Sequence, residues 1–113
     1  MPYNLHHKKF RAITNTDNGE VSSQTLFHYH QEDDLVWAVY QGGGIRKGTL
    51  VGQWREGNLL EFRYQHLSTD GTFKSGECIS RPELKVDGKL RLHETWQWTS
   101  GDKSRGTSVI EEI

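Results

Sequence analysis

Turn signals recur along the whole chain at short intervals, and their spacing constrains the fold more than any other feature. Each combines glycine, asparagine, aspartate or serine residues of the kind that tight turns need. They lie at 17–19, 32–34, 42–44, 56–58, 70–71, 87–88 and 100–102. The runs between them have the length of strands and are rich in β-branched and aromatic residues. The turns therefore predict eight strands, near 8–15, 22–31, 35–41, 45–55, 59–68, 72–86, 89–99 and 103–112.

Eight consecutive strands joined by short turns favour one particular all-β architecture. No segment keeps the i, i+3, i+4, i+7 apolar spacing of an amphipathic helix. The sequence predicts a single domain over 1–113, folded as an antiparallel up-and-down barrel, because closure removes exposed strand edges. A two-sheet sandwich is the alternative, but it normally needs longer crossovers. A barrel of about eight strands is either filled by side chains or holds one small ligand.

Charge and composition exclude several classes of partner. Lys and Arg total 14 and Asp and Glu total 15, so the net charge is -1. Without a basic excess, neither nucleic acid nor a membrane surface is expected as a partner. The N-terminus lacks the apolar core of a signal peptide, and we expect a cytoplasmic protein. Cys78 is the only cysteine, which rules out a disulfide within the chain.

The segment at 89–99 has the clearest period-two alternation. One face carries four large apolar side chains with a single carboxylate, Glu94, in the middle of the row: Leu90, Leu92, Trp96 and Trp98. A carboxylate in that position either faces a ligand or belongs to an internal polar pair, since a buried charge needs a partner.

Alternation in the other strands extends this row to a predicted inward-facing set. Its members are mostly aromatic, with two groups that can ionise near neutral pH: Tyr29, Trp54, Tyr64, His66, Glu94, Trp96 and Trp98. Such a set predicts a pocket with aromatic walls for a flat or apolar small ligand, oriented by His66 and Glu94. The alternative is a filled barrel in which Glu94 is satisfied by an internal partner. The inward faces of the strands near 22–31, 35–41 and 72–86 stay open.

Two strands have features that alternation alone does not explain. The run at 35–41, LVWAVYQ, is apolar on both faces, which suggests a homo-oligomer in which one face packs against a partner subunit. Pro82 cannot donate to a strand ladder, so a bend or bulge is predicted there.

Histidine and cysteine residues offer little for catalysis or metal binding. His28 and His30 point to one side of a strand, but a third ligand would have to come from His66 or His93. His6 and His7 are expected to be exposed in the polar terminus. We therefore predict no metal site, no cofactor and no catalytic residue. Cys78 is interpreted as a small buried hydrophobe.

The glycine-rich run at 42–44 is interpreted as a hairpin turn. A glycine-rich loop that binds phosphate leads into a helix, whose N-terminal amides face the anion. The residues that follow this run, Ile45–Val51, have the pattern of a strand instead. Positive φ angles at the glycines are therefore predicted.

Three stretches of the chain are distinctive: the segments at 15–23 and 43–52 and, above all, RLHETWQWTSGDKSRG at 91–106. They resemble a family of small bacterial β-barrel proteins, many of which are labelled N-acetylglutamate synthase. The resemblance implies an avidin-like or lipocalin-like (calycin) barrel with a ligand-binding function. Acetyltransferases carry an (Arg/Gln)-x-x-Gly-x-(Gly/Ala) loop before a helix, and the run from Gln41 to Arg46 fails at the last position. No catalytic residue can be carried over from the label.

The sequence thus supports three hypotheses about function. The first is a barrel that binds a small ligand within it or at its mouth. The second is an enzyme with Glu94 or His66 as a general base. The third is a filled barrel that acts as a structural or oligomeric interaction module. Only the first is favoured by both the alternation pattern and the resemblance.

Overall fold

The chain folds into a closed eight-stranded antiparallel β-barrel. The structure, a computed structural model, describes residues 3–113. The strands are β1 (Lys9–Asn15), β2 (Leu26–Glu32), β3 (Leu35–Gly42), β4 (Ile45–Arg55), β5 (Leu59–Ser68), β6 (Phe73–Leu84), β7 (Leu90–Trp98) and β8 (Arg105–Glu112). Each strand pairs with the next, and β8 pairs with β1, so the up-and-down topology is confirmed. Residues 3–113 contain no helix that could span a membrane.

Period-two alternation places one face of every strand inside the barrel. On β7 the five inward side chains are all buried, and the residues between them are exposed or half-buried. On β5 the predicted inward face is also correct, although Tyr64 stays partly accessible. The structure settles the faces that the sequence left open: the buried residues are Phe27 and Tyr29 on β2, Val36, Ala38 and Tyr40 on β3, and Gly76, Cys78 and Ser80 on β6.

The second strand begins later than predicted. Residues 22–25 form a turn instead of strand, because the Thr25 hydroxyl accepts a hydrogen bond from the Ser22 amide and donates one to the carbonyl of Gly42. Side-chain bonds of this kind compete with strand pairing. The connection between β1 and β2, which we call the cap loop (16–25), is consequently longer than the other turns.

The predicted bulge at Pro82 is wrong. Pro82 pairs in unbroken register with Leu92 of β7. The pairing of β6 with β5 ends at Ser80, so Pro82 lies where β6 has a neighbour on one side only, a position at which a missing donor is tolerated. The register shifts lie elsewhere, at Ala12/Thr14, Tyr40/Gly42 and Ile45/Lys47.

Glycines meet two separate requirements in the β3–β4 hairpin. Gly42 and Gly43 have φ angles of 118° and 64°, which confirms the predicted turn conformation. Gly48 lies under the ring of Tyr40, where an added Cβ would come within 2.3 Å of ring carbons. The small residue therefore gives the tyrosine room to lie against the barrel wall.

The two ends of the barrel differ. The open end carries the cap loop and the turns 43–44, 69–72 and 99–104. The closed end is filled by the N-terminal segment, in which Leu5 is fully buried and Tyr3 stacks on Trp54 with a centroid separation of 5.9 Å. Gln31 ties this end together, because its side-chain oxygen accepts bonds from the Leu5 amide and the Trp54 indole.

Candidate ligand-binding site

A cavity lies inside the open end of the barrel. The volume that the centre of a water molecule can occupy inside it is about 40 Å³. The cavity therefore has room for a few waters. Its walls come from all eight strands and from the cap loop: Asn15, Gly19, Glu20, Val21, Phe27, Tyr40, Leu50, Phe62, Tyr64, His66, Cys78, Glu94, Trp96, Trp98 and Ser108. The barrel is thus packed at its closed end and hollow near its open end.

Glu94 is the most unusual group in the cavity wall. Its residue surface is only 8% exposed, and one carboxyl oxygen accepts a hydrogen bond of 3.0 Å from the Ser108 hydroxyl. The other oxygen, Oε2, is buried and has no partner among residues 3–113. Burial raises the pKa of Glu94 to about 7, against the smaller lowering effect of the Ser108 bond. The carboxyl group can therefore hold its proton near neutral pH, and in that form it is able to donate as well as accept a hydrogen bond.

Other buried polar atoms near Glu94 also lack partners. Ser80 lies directly opposite Glu94 in the β6–β7 register, and its hydroxyl oxygen makes no hydrogen bond within the part of the chain that the structure describes. The hydroxyl of Tyr29 is likewise unpartnered. Burial, and next the charge of Glu94, raise the pKa of Tyr29 well above its ordinary value. Buried polar groups are normally satisfied, so these two hydroxyls retain unused hydrogen-bonding capacity, although neither residue borders the cavity.

A polar cluster lies above the cavity, at the open end of the barrel. The Glu20 carboxylate of the cap loop contacts His66 Nε2 at 3.0 Å, and also contacts the Ser68 hydroxyl and the Lys74 ammonium. Tyr40 approaches the other ring nitrogen of His66, Nδ1, at 3.0 Å. An ionised carboxylate can only accept, so Nε2 of a neutral His66 donates to Glu20 and Nδ1 accepts from the Tyr40 hydroxyl.

The pKa shifts of this cluster agree with those roles. Burial lowers the pKa of His66, although the hydrogen bond and charge of Glu20 act in the opposite direction. Burial raises the pKa of Glu20, but its bonds with Lys74, Ser68 and His66 outweigh that effect and leave the pKa below its usual value. Near neutral pH, His66 is therefore a neutral imidazole and Glu20 is an ionised carboxylate.

The cap loop is fastened to the barrel at further points. The Trp98 indole donates to the carbonyl of Asn18 at 3.0 Å, and the Asn15 side chain donates to the carbonyl of Val21 at 2.9 Å. Asn18 also donates to the carbonyl of Arg105 at 2.7 Å. These bonds hold the loop against the barrel beside the cavity, whose lining includes Glu20 and Trp98.

The structure brings together five of the seven predicted site residues and separates two. Those around the cavity are Tyr64, His66, Glu94, Trp96 and Trp98. Trp54 packs at the closed end against Tyr3, because it lies at the far end of β4. Tyr29 is inward and fully buried but does not border the cavity.

Several residues of the site were missed from the sequence. Tyr40 lay on a strand with two apolar faces, and Ser108 lay on one with weak alternation. Glu20 and Lys74 come from segments 54 positions apart, and only barrel closure brings them into contact. No local sequence signal marks that pair.

The histidines do not form the arrangement considered from the sequence. His66 points into the barrel, and His93 contacts Glu83 on the outside at 2.7 Å. His30 instead lies beside His6 and His7.

A family model described as avidin-like protein matches residues 3–113. The chain belongs to the avidin-like protein family. No curated protein matches the chain. Membership agrees with the eight-stranded antiparallel barrel and confirms the avidin-like resemblance. It is consistent with small-ligand binding and with oligomerisation, and it favours neither an enzyme nor a purely structural module.

Proposed function

We propose that this protein binds a small molecule in the cavity at the open end of the barrel, with Glu94 as the main polar contact. The observation that carries the proposal is Glu94 Oε2, which is buried in a wall rich in aromatic side chains and has no partner among residues 3–113. A buried polar atom without a hydrogen-bond partner reduces the stability of the folded protein. A ligand that forms a hydrogen bond with this oxygen would remove that cost.

The walls suggest the general shape of the ligand. Trp96 and Trp98 lie at 5.5 Å centroid separation, and Tyr64 meets Trp98 edge-on at 5.7 Å. Rings in these positions favour a flat or apolar body, with a polar group directed toward Glu94. A ligand larger than a few waters would displace the segment around Glu20, which makes the cap loop the moving part of the site.

A fragment screen followed by two-dimensional NMR tests this proposal. Binding compounds are first found by ligand-observed NMR, the shifts that they cause in the Trp96 and Trp98 indole N–H signals are then recorded, and their affinities are measured for Glu94→Gln and Glu77→Gln. The control makes the same chemical change on the outer wall, where Glu77 is substantially exposed. We expect Glu94→Gln to weaken binding at least tenfold and Glu77→Gln to leave it unchanged. Equal affinities for both variants, or hits that leave both indoles unshifted, would refute the assignment.

We also propose that copies of the chain associate through the outer face of β3 and β4. Leu35 and Val51 are 43% and 55% exposed, and Trp37 pairs with Val51 across the two strands. Exposed apolar side chains clustered on one surface are typical of subunit contacts. The monomeric mass by light scattering at micromolar concentration would contradict this proposal.

A further inference from the structure

Three histidines meet on the outside of the barrel at its closed end, away from the cavity. His30 projects outward from β2, and His6 and His7 precede β1. The ring centroids of His6 and His7 are 3.9 Å apart, and those of His7 and His30 are 5.7 Å apart. One ligand nitrogen from each residue lies within 4.8 Å of the other two.

Backbone contacts hold the three residues in place. The His7 amide donates to the carbonyl of Tyr29, and the Tyr29 amide donates to the carbonyl of Lys8, both at 2.9 Å. These bonds fix the N-terminal segment beside β2. His7 has a φ of 63°, an uncommon conformation for a residue other than glycine. This conformation turns the backbone at His7, directly after His6. On the other side, His30 stacks on Trp37 with planes 22° apart.

Each of the three residues offers an imidazole nitrogen to the cluster. His6 and His7 are exposed and His30 is half-buried, so an ion can reach them from solvent. Among the described residues, 3–113, the only members of this cluster are the three histidines, so it contains no carboxylate or thiolate.

We propose that His6, His7 and His30 form a zinc-binding site on the outer wall of the barrel. Imidazole nitrogen suits Zn²⁺ and is a poor ligand for Mg²⁺ or Ca²⁺. Three imidazoles leave the fourth tetrahedral position open to water or to another ligand. Tetrahedral bonds of about 2.0–2.1 Å place ligand nitrogens about 3.3 Å apart, so the rings must approach one another. His6 and His7 are exposed, and rotation of their side chains, which for His6 breaks its bond with the Gln31 backbone amide, would bring the nitrogens to that separation.

One hydrogen bond supplies a specific signature of binding. The backbone amide of Gln31 donates to His6 Nδ1 at 3.0 Å. A neutral imidazole has a single lone pair, so a metal on either nitrogen of His6 replaces this bond. Zinc binding should therefore shift the Gln31 amide resonance, whereas the indole signals of Trp96 and Trp98 at the opposite end should not move.

The test is titration of the full chain, freed of any affinity tag, with Zn²⁺ by calorimetry and NMR. We expect one site per chain, loss of at least tenfold in affinity for His30→Ala, and no response to Mg²⁺. His28→Ala is the matched control, because His28 lies on the same outer face of β2 and outside the cluster.

The outcomes separate a built site from adventitious binding. Retained affinity in His28→Ala together with a shifted Gln31 amide supports the site. Equal affinities for the wild type and His30→Ala, or zinc binding without a change at Gln31, would overturn it. His6→Gln provides a second variant, expected to weaken binding as His30→Ala does. Neither result depends on whether the cavity binds a ligand.

Discussion

Replacing Glu94 by glutamine should remove a pH-dependent loss of stability. In the folded protein the pKa of Glu94 is about 7, against an ordinary value of 4.5. Between these values the folded state retains a proton that the unfolded state releases. The stability contributed by protonated Glu94 is therefore complete below pH 4.5, declines as the pH rises, and is lost above pH 7.

The size of the effect follows from the shift. At about 1.4 kcal/mol per pKa unit, the ionised carboxyl reduces the free energy of unfolding by about 3 kcal/mol above pH 7. Glutamine does not titrate and can still accept the Ser108 bond. The stability of Glu94→Gln relative to the wild type should therefore increase by about 3 kcal/mol between pH 4.5 and pH 8. For a domain of this size, that corresponds to a change in relative Tm of about 10 °C.

Urea unfolding at half-unit pH intervals measures this difference directly. Other titrating groups, including Glu20 and His66, are present in both proteins and largely cancel. Glu77→Gln serves as the control, because it makes the same chemical change on the exposed outer wall. A Glu94→Gln difference that is flat from pH 4.5 to 8 would refute the reasoning, since it would mean that burial does not disfavour the charged form.

The remaining predictions concern packing, the polar cluster and association. Gly48→Ala should lower the free energy of unfolding by about 1–3 kcal/mol, because its Cβ would overlap Tyr40. Gly44→Ala, with no heavy atom closer than 4.0 Å, should change stability in chemical denaturation by no more than about 0.5 kcal/mol. Glu20→Gln should lower the pKa of His66 further in an NMR titration, since Glu20 raises it; an unchanged pKa would exclude their coupling. Val51→Lys should convert the proposed oligomer to monomer in light scattering while preserving the circular dichroism spectrum.

Local patterns in the sequence were sufficient to predict the barrel. Turn residues at short intervals set the number of strands, and the period-two alternation of β5 and β7 assigned their inward faces. These signals are local, because a turn depends on a few residues and a strand face on its neighbours. The same logic placed Glu94 among tryptophans, where the structure has it.

Alternation predicts whether a side chain points into or out of the barrel, but not its height, that is, its position along the barrel axis. Trp54 and Trp98 both point inward, yet one packs at the closed end and the other borders the cavity. Their heights depend on strand register and on the N-terminal segment that fills the closed end. The sequence therefore grouped residues that the structure separates.

What the sequence by itself determined is the strand count, the closed topology and the amphipathic alternation that buries Glu94. What only the tertiary structure decided is which distant residues meet. Closure brings Glu20 to His66 and Lys74, and the backbone bonds of the N-terminal segment bring His6 and His7 to His30. The physical reason is that turns and alternation are encoded by neighbours in the chain, whereas these contacts depend on the register of the whole barrel.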